Sequence, residues 1–372
     1  MRRVSAVVAS LSVAVTGCSF SKVDANASVV INGTALNAAG QPLANTEILL
    51  FKQADIGGVL FGGILALGSL GTVCLLPQAP AICNKARTAR TDSEGRYHFD
   101  LKGEDTQGTL GTEATMNVVF SSRAGTGSTT VSFTVKQTTV RVPAARLVNL
   151  SPQVSQPGGR IQVSWHNLPA GAGRKASYSA QLFAARGQSA LWTQTATGGH
   201  ATLDPRLLED RSGTVAVGAS TELSGGSGTG TVHSYYLSQK RPVSATAGAP
   251  PSRGKRCAPV TGTGPAKDGS FTRCAATDGN LDSPARLVGQ GAVTGAVVDL
   301  GSVRPVTLVV GRGFAGQVLV EISSNGRTFS TVATGAGSAV AVTVPGHQRA
   351  RYVRVRSASG LDESLSSELS VW

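Results

Sequence analysis

Helical periodicity is almost missing from this sequence. Helical bundles and doubly wound α/β folds are thereby excluded, since both need apolar residues recurring every three to four positions. Aromatic residues make up only 5% of the chain and charged residues 15%. No GxSxG elbow occurs, no cysteine pair has CxxC spacing, and His98, His166, His200, His233 and His347 are scattered along the chain. These gaps remove the sequence signals of serine hydrolases, zinc ribbons and thiol redox centres. A basic helix or aromatic stripe is also lacking, so no nucleic-acid partner is expected. The chain is read as non-catalytic.

What the sequence does have is 46 glycines and many short alternating runs bounded by turn residues. This is the texture of an all-β protein. At roughly 150 residues per domain, 372 residues predict two or three units. The formal net charge of +13 is spread along the chain. Dispersed positive charge favours anionic surfaces such as acidic polysaccharide, by an attraction that salt weakens. Ordinary solubility is the alternative reading of the same charge.

The stretch "VTLVVGRGFAGQVLVEIS" contains a literal GxGxxG at Gly311, Gly313 and Gly316. A dinucleotide needs a helix after the last glycine, because helix N–H groups cradle the pyrophosphate. Val318, Val320 and Ile322 instead alternate with Gln317, Glu321 and Ser323, a strand period. The glycines are therefore predicted to turn a hairpin.

The first residues, "MRRVSAVVASLSVAVTGC", give arginines, an apolar run from Val4 to Val15, and small residues ending at Cys18. This is an export signal. Its end, Val15 to Cys18, resembles the bacterial lipobox, which implies a signal peptide over 1–17, palmitate or similar chains on Cys18 and a tether over 18–27. Two or more acyl chains, at about 0.8 kcal/mol per buried methylene, hold a protein at a bilayer. Ser19 following the cysteine implies the outer membrane and not inner-membrane retention. A plain signal peptide with a chance cysteine is the competing reading. Of five cysteines, Cys18 is set aside, and Cys74 with Cys83 and Cys257 with Cys274 make two local disulfides the natural partition in an exported chain. Metal binding competes, without CxxC spacing or a nearby histidine to support it.

Residues 28–142 contain "NGTALNAAGQPLANTEILLF" and "TDSEGRYHFDL", where Tyr97, Phe99 and Leu101 face inward against Arg96, His98 and Asp100. These motifs resemble the carboxypeptidase regulatory-like, transthyretin-like sandwich, which implies a spacing role. An insertion over 52–86 departs from that family, and Ile56 to Pro77 carry no charge. It reads either as a membrane-spanning helix or as an apolar loop, closed by Cys74 and Cys83, covering the sandwich or resting in the lipid surface. Over 144–240, Ile161, Val163 and Trp165 share one strand face, followed by Tyr178, Ala180 and Leu182, then Trp192, Val215 and Val217. This spacing resembles a fibronectin type III sandwich. Trp165 is expected in its core, with sugar stacking as the other use of Trp165 and Trp192. The stretch 241–256, rich in Ala, Pro, Gly and basic residues, reads as a linker.

Residues 257–372 resemble the discoidin domain in five elements: "DGN" at Asp278, "DLG" at Asp299, "SNGRTF" at Ser324, "ARYVRV" at Ala350 and "SEL" at Ser367. That resemblance implies a galactose-binding-like jelly roll. "NGR" at Asn325 to Arg327 is expected to turn a hairpin, and Val353 and Val355 to face a core while Tyr352, Arg354 and Arg356 face out. The resemblance also implies a structural calcium, held by Asp278, Asn280, Asp282, Ser283 and Glu368. Ordinary Asp and Asn turn chemistry is the alternative. A tryptophan common in the family is missing from "SPARLVGQGAVTGAVV", so Arg286 and Arg312 are expected to meet an anionic ligand, with Phe314 as an apolar contact or a buried ring.

The sequence thus reads as tandem β-sandwiches followed by a discoidin-like jelly roll, lipid-anchored in a bacterial envelope. The jelly roll is expected to bind carbohydrate or another surface ligand in adhesion. A structural component binding an envelope protein, with no glycan ligand, is the alternative.

Overall fold

The computed structural model describes residues 20–53, 87–108, 111–122, 127–185, 190–196, 198–244, 247–261, 271–280, 285–288, 293–314, 316–336, 339–357 and 364–372. The signal segment, Cys18, Cys74, Cys83, Asp282, Ser283 and the uncharged run 56–77 lie outside them, as does the side chain of Arg286.

The protein is all-β. Its first part contains β1 (Ser28–Leu36), β2 (Glu47–Lys52), β3 (Arg87–Arg90), β4 (Arg96–Lys102), β5 (Thr115–Ser121), β6 (Gly127–Thr134), β7 (Thr139–Arg141) and β8 (Ala145–Arg146). Along β4 burial alternates strictly, with Tyr97, Phe99 and Leu101 inside. The preceding turn is fixed by Asp92, whose Oδ1 accepts the backbone N–H groups of Glu94 and Arg96, and by Gly95 at φ 73°. It passes the chain from one layer to the other: β3 lies in a sheet with β2, β5 and β6, whereas β4 pairs with β1. Ile31, Phe99, Val118 and Phe133 meet between the layers.

The middle part contains β9 (Gln153–Ser155), β10 (Ile161–Ser164), β11 (Arg174–Ala184), β12 (Ala190–Ala196), β13 (His200–Leu203), β14 (Ser212–Leu223), β15 (Val232–Ser238) and β16 (Arg241–Ser244). Trp165 is buried with Ala180, Leu182, Val215 and Val217, and Trp192 packs half-buried against them. Its sheet does not stop at the module: β15 pairs antiparallel with β6, His233 opposite Ser132 and Ser238 opposite Gly127. One sheet therefore runs in the order β12-β11-β14-β15-β6-β5-β2-β3 through both parts. Residues 241–244 pair with β14, and Ser252 is fully buried.

The last part contains β17 (Arg256–Thr261), β18 (Thr272–Arg273), β19 (Ala285–Val288), β20 (Val293–Pro305), β21 (Leu308–Arg312), β22 (Gln317–Ser323), β23 (Ser330–Ala336), β24 (Ala339–Thr343), β25 (Arg349–Ser357) and β26 (Ser364–Val371). Two sheets, β18-β17-β20-β25-β22-β23 and β19-β26-β21-β24, enclose Val298, Val309, Val320, Val353 and Val371. Cys257 and Cys274 are joined as a disulfide, with Cα atoms 5.2 Å apart.

The GxGxxG stretch does not turn a hairpin, because β21 and β22 belong to different sheets. It is the crossover between them. Gly313 and Gly316 take φ of 84° and 66°, which a Cβ disfavours, and a Cβ on Gly311 would come within 2.8 Å of the Phe314 ring. The glycines thus serve a tight crossover and a close ring contact. By contrast, β22 and β23 do form the hairpin expected around Asn325, with Ile322 opposite Ser330.

Candidate functional site

The six-stranded sheet of the last part has one face on its core and one directed outward. Register carries the outward side chains into a row: Arg273 on β18 opposes Arg256 on β17, Arg256 opposes Asp299 on β20, Asp299 opposes Tyr352 on β25, and Tyr352 opposes Ser323 on β22. Directly opposed residues share a face. Their neighbours Cys257, Val298 and Val353 point into the core, which fixes the side on which the row stands.

Beside this row the outward face has an apolar floor of Ala258, Val260 and Val297. Three half-buried rings, Phe271, Phe329 and Tyr352, pack against it. Phe271 and Tyr352 have centroids 5.7 Å apart at 52°, a tilted pair. The hairpin turn supports Tyr352 from below, where Gly326 at φ 74° lies so close that a Cβ would sit 3.1 Å from the ring. Asn325 shapes this turn, its Oδ1 accepting the N–H groups of Arg327 and Thr328.

Charges are held in fixed geometry. Arg351 Nε and Nη2 each donate to the Asp299 carboxylate at 2.8 Å, and the Arg351 guanidinium lies 4.9 Å from the Tyr352 centroid. The Arg351 hydrogen bond holds the Asp299 carboxyl below the usual carboxylate range, against a smaller opposing effect of burial. Arg354 Nε donates to Glu321 at 2.6 Å and its guanidinium sits 4.1 Å over Phe329. Burial pushes the Glu321 carboxyl up, but bonds from Arg356 and Arg354 outweigh it, and the net direction is down. Ring faces beside rigid donors and acceptors can stack on a hydroxylated ring and bond its edge.

The ligand contacts expected from sequence fall elsewhere. Phe314 is 2% exposed within the jelly-roll core, and Arg312 is 6% exposed, donating from Nη2 to Leu207 O at 2.7 Å and from Nε to Leu191 O at 3.4 Å. Arg312 is turned away from solvent, which corrects its reading as a ligand contact, and of the two alternatives for Phe314 the buried ring is the one observed. The physical reason is that β21 is covered on both sides: Val309 faces the jelly-roll core, whereas Leu308 and Val310 pack into the core of the middle part. Trp372 joins them there. Arg354 points outward as expected, yet it is buried on that face beneath Phe329 and Glu321.

At the Asp278 turn, Asn280 N–H bonds Asp278 Oδ1 and Gly279 N–H bonds Glu368 Oε1 at 3.0 Å. Glu368 is 1% exposed and its Oε2 has no hydrogen-bond partner among the described residues. Burial, joined by the carboxylates of Asp278 and Glu209, pushes its pKa up to about 8 against the opposing Gly279 bond and Arg312. A buried carboxylate oxygen with no described partner, near the Asp278 carboxylate, is a donor of the kind a hard cation takes. Among the described residues no group of three or more His, Cys, Asp or Glu side chains converges on a metal position. The same junction holds Glu209, which accepts from Ser370 Oγ and from Arg253, while Arg253 Nη1 also reaches Asp210 at 2.6 Å.

Tyr352 was legible as an outward residue from its alternation with Val353. Its partners were not, since Phe271, Asp299 and Ser323 come from three other segments. An outward tyrosine flanked by arginines in an otherwise apolar strand is the signal that marks such a row.

No protein-family model matches the chain, and no curated protein does. Among solved structures the chain is similar to a family 89 glycoside hydrolase from Clostridium perfringens in complex with PUGNAc, at 17% identity and a TM-score of 0.26, covering 34% of this chain and 14% of that one. It is similar to a mutant of the lectin binding domain of Lectinolysin complexed with Lewis b, at 23% identity and a TM-score of 0.24, covering 32% and 93%. A SusE-like protein aligns at 11% identity and a TM-score of 0.24, over 59% of this chain and 95% of its own. The chain thus spans about one seventh of the length of the glycoside hydrolase.

Proposed function

We propose that this protein binds carbohydrate on the outward face of its C-terminal jelly roll. The observation that carries the reading is the tilted Phe271–Tyr352 pair, half-exposed beside the Arg351–Asp299 ion pair. An apolar ring face next to planar, pre-oriented donors is what a pyranose requires, since its faces are C–H rich and its rim carries hydroxyls. Anchored through acyl chains on Cys18, the protein would display this face from a bacterial envelope, with its first two sandwiches as a stiff spacer. Calcium belongs to the same reading as a structural ion, with Glu368, Asp278 and Asn280 as its described ligands.

A glycan array probed with the full-length protein tests the site. Hits should weaken about tenfold or more in Tyr352→Ala, a loss of roughly 1.4 kcal/mol. Hits that Tyr352→Ala leaves untouched would place binding elsewhere. Membrane fractionation of Cys18→Ser tests the anchor, since loss of the acyl chains should release the protein. Calcium titration with and without chelator tests the ion: no heat and an unchanged melting temperature would remove it.

A protein ligand is the second reading, favoured by β23. Among the described residues this strand pairs with β22 alone, and its sequence, STVATGA, carries no charge. An uncharged open edge offers unpaired backbone groups to another strand. A blank array with a stable co-purifying partner would support it.

A further inference from the structure

We infer that the carbohydrate bound on this face is an acidic one, its carboxylate held between Arg256 and Arg273. The inference rests on the glycan reading above and adds the charge of the ligand. Arg256 and Arg273 are directly opposed across β17 and β18, and both are exposed. Like charges placed opposite one another on a sheet destabilise the pair unless something neutralises them.

Asp299 stands next in the row, opposite Arg256, and is the obvious neutralising group. Its hydrogen bonds are committed elsewhere, two from Arg351 and one at Oδ1 from the N–H of Gly301 at 2.8 Å, so Arg256 feels its charge only at a distance and Arg351 already offsets that charge. Arg256 instead donates from Nη2 to the backbone carbonyl of Phe271. That bond ties the guanidinium to the segment bearing the Phe271 ring. Arg273 bonds no carboxylate among the described residues.

The two positive charges therefore lie at the β18 end of the row, adjoining the Phe271–Tyr352 rings. A sugar seated on the rings would direct an acidic substituent toward the arginine pair. A guanidinium presents a planar fork of donors that matches carboxylate oxygens. The excess positive charge of the whole chain adds attraction at a distance.

The test uses the full-length protein with alginate and hyaluronan, each compared with its carboxyl-reduced form, which keeps the ring but loses the charge. The acidic form of at least one polymer should bind about tenfold tighter in low salt, with the preference shrinking as salt is raised. In the Arg256→Gln/Arg273→Gln double variant the preference should fall to within about twofold while the melting temperature holds. Arg273→Glu alone should reverse it. Equal binding of both forms, a preference that survives in the double variant, or neutral array hits without acidic binding overturns the inference and leaves the glycan reading standing. An array whose hits ignore Tyr352→Ala sinks the reading on which it rests.

Discussion

Arg354 lies between Glu321 and Phe329: its Nε donates to the carboxylate at 2.6 Å and its guanidinium stacks 4.1 Å above the ring. Both charged side chains are about 5% exposed although they stand on the outward face of a sheet. Removing Glu321 takes from the buried Arg354, and from Arg356 beside it, the carboxylate that both bond. Glu321→Leu should therefore destabilise the protein by about 3–5 kcal/mol, read as a fall in the urea midpoint. A loss below about 1 kcal/mol would mean the pair is solvated in solution.

The pH dependence follows from the same groups. Asp299 and Glu321 both have carboxyl pKa values lowered in the folded protein, by bonds from Arg351 and from Arg356 and Arg354 respectively. A depressed folded-state pKa contributes stability that is present above the unfolded value and lost as pH falls through the folded one. From these two groups, melting temperature should be flat near neutrality and fall below about pH 4, where unfolded carboxylates begin to protonate. The Asp299→Asn/Glu321→Gln variant should melt lower at pH 7 and show a shallower acid fall. An acid slope as steep as the parent's would assign the effect to other carboxylates.

The Cys257–Cys274 disulfide spans 17 residues of sequence. A closed loop of this length contributes about 3 kcal/mol in the chain-entropy model. It also pins β18 to β17 and so helps place Phe271 and Arg273. Cys257→Ala/Cys274→Ala should lower the melting temperature and weaken glycan binding together. Binding unchanged in the folded variant would show that the row is held without the bridge.

Leu308, Val310 and Trp372 are jelly-roll residues that pack into the core of the middle sandwich. An isolated 257–372 fragment would expose them and leave Arg312 without the Leu191 and Leu207 carbonyls. Each buried aliphatic side chain exposed costs about 1.5–3 kcal/mol. The fragment should melt lower and self-associate by light scattering, while the full chain should be monomeric. In the full chain Val310→Asp should have a similar destabilising effect, and a fragment as stable as the parent would contradict the shared core.

Alternation made much of this architecture legible. A side chain's period along a strand is two, so the inward set Tyr97, Phe99 and Leu101, the burial of Trp165, and the inward Val353 and Val355 followed from local pattern alone. Turn chemistry, also local, marked the Asn325 hairpin and the Asp92 turn. The GxGxxG was correctly denied a helix by the same alternation, yet its sheet change was invisible. A glycine-rich turn has no local mark that tells a hairpin from a crossover.

What alternation cannot state is whether the second face of a strand meets water or another layer. Arg312 sits at an outward position of β21 and is buried because the middle sandwich covers that face. Pairing of β15 with β6, which sets Ser234 opposite Val131, 103 residues earlier in the chain, is likewise set by backbone edges that carry no residue code. The row from Arg273 to Ser323 exists only once β18, β17, β20, β25 and β22 lie side by side. Composition and period determined that this chain makes β-sandwiches and which side chains point together within each strand. Only tertiary packing decided which faces stay open to a ligand, because that depends on contacts between segments distant in sequence.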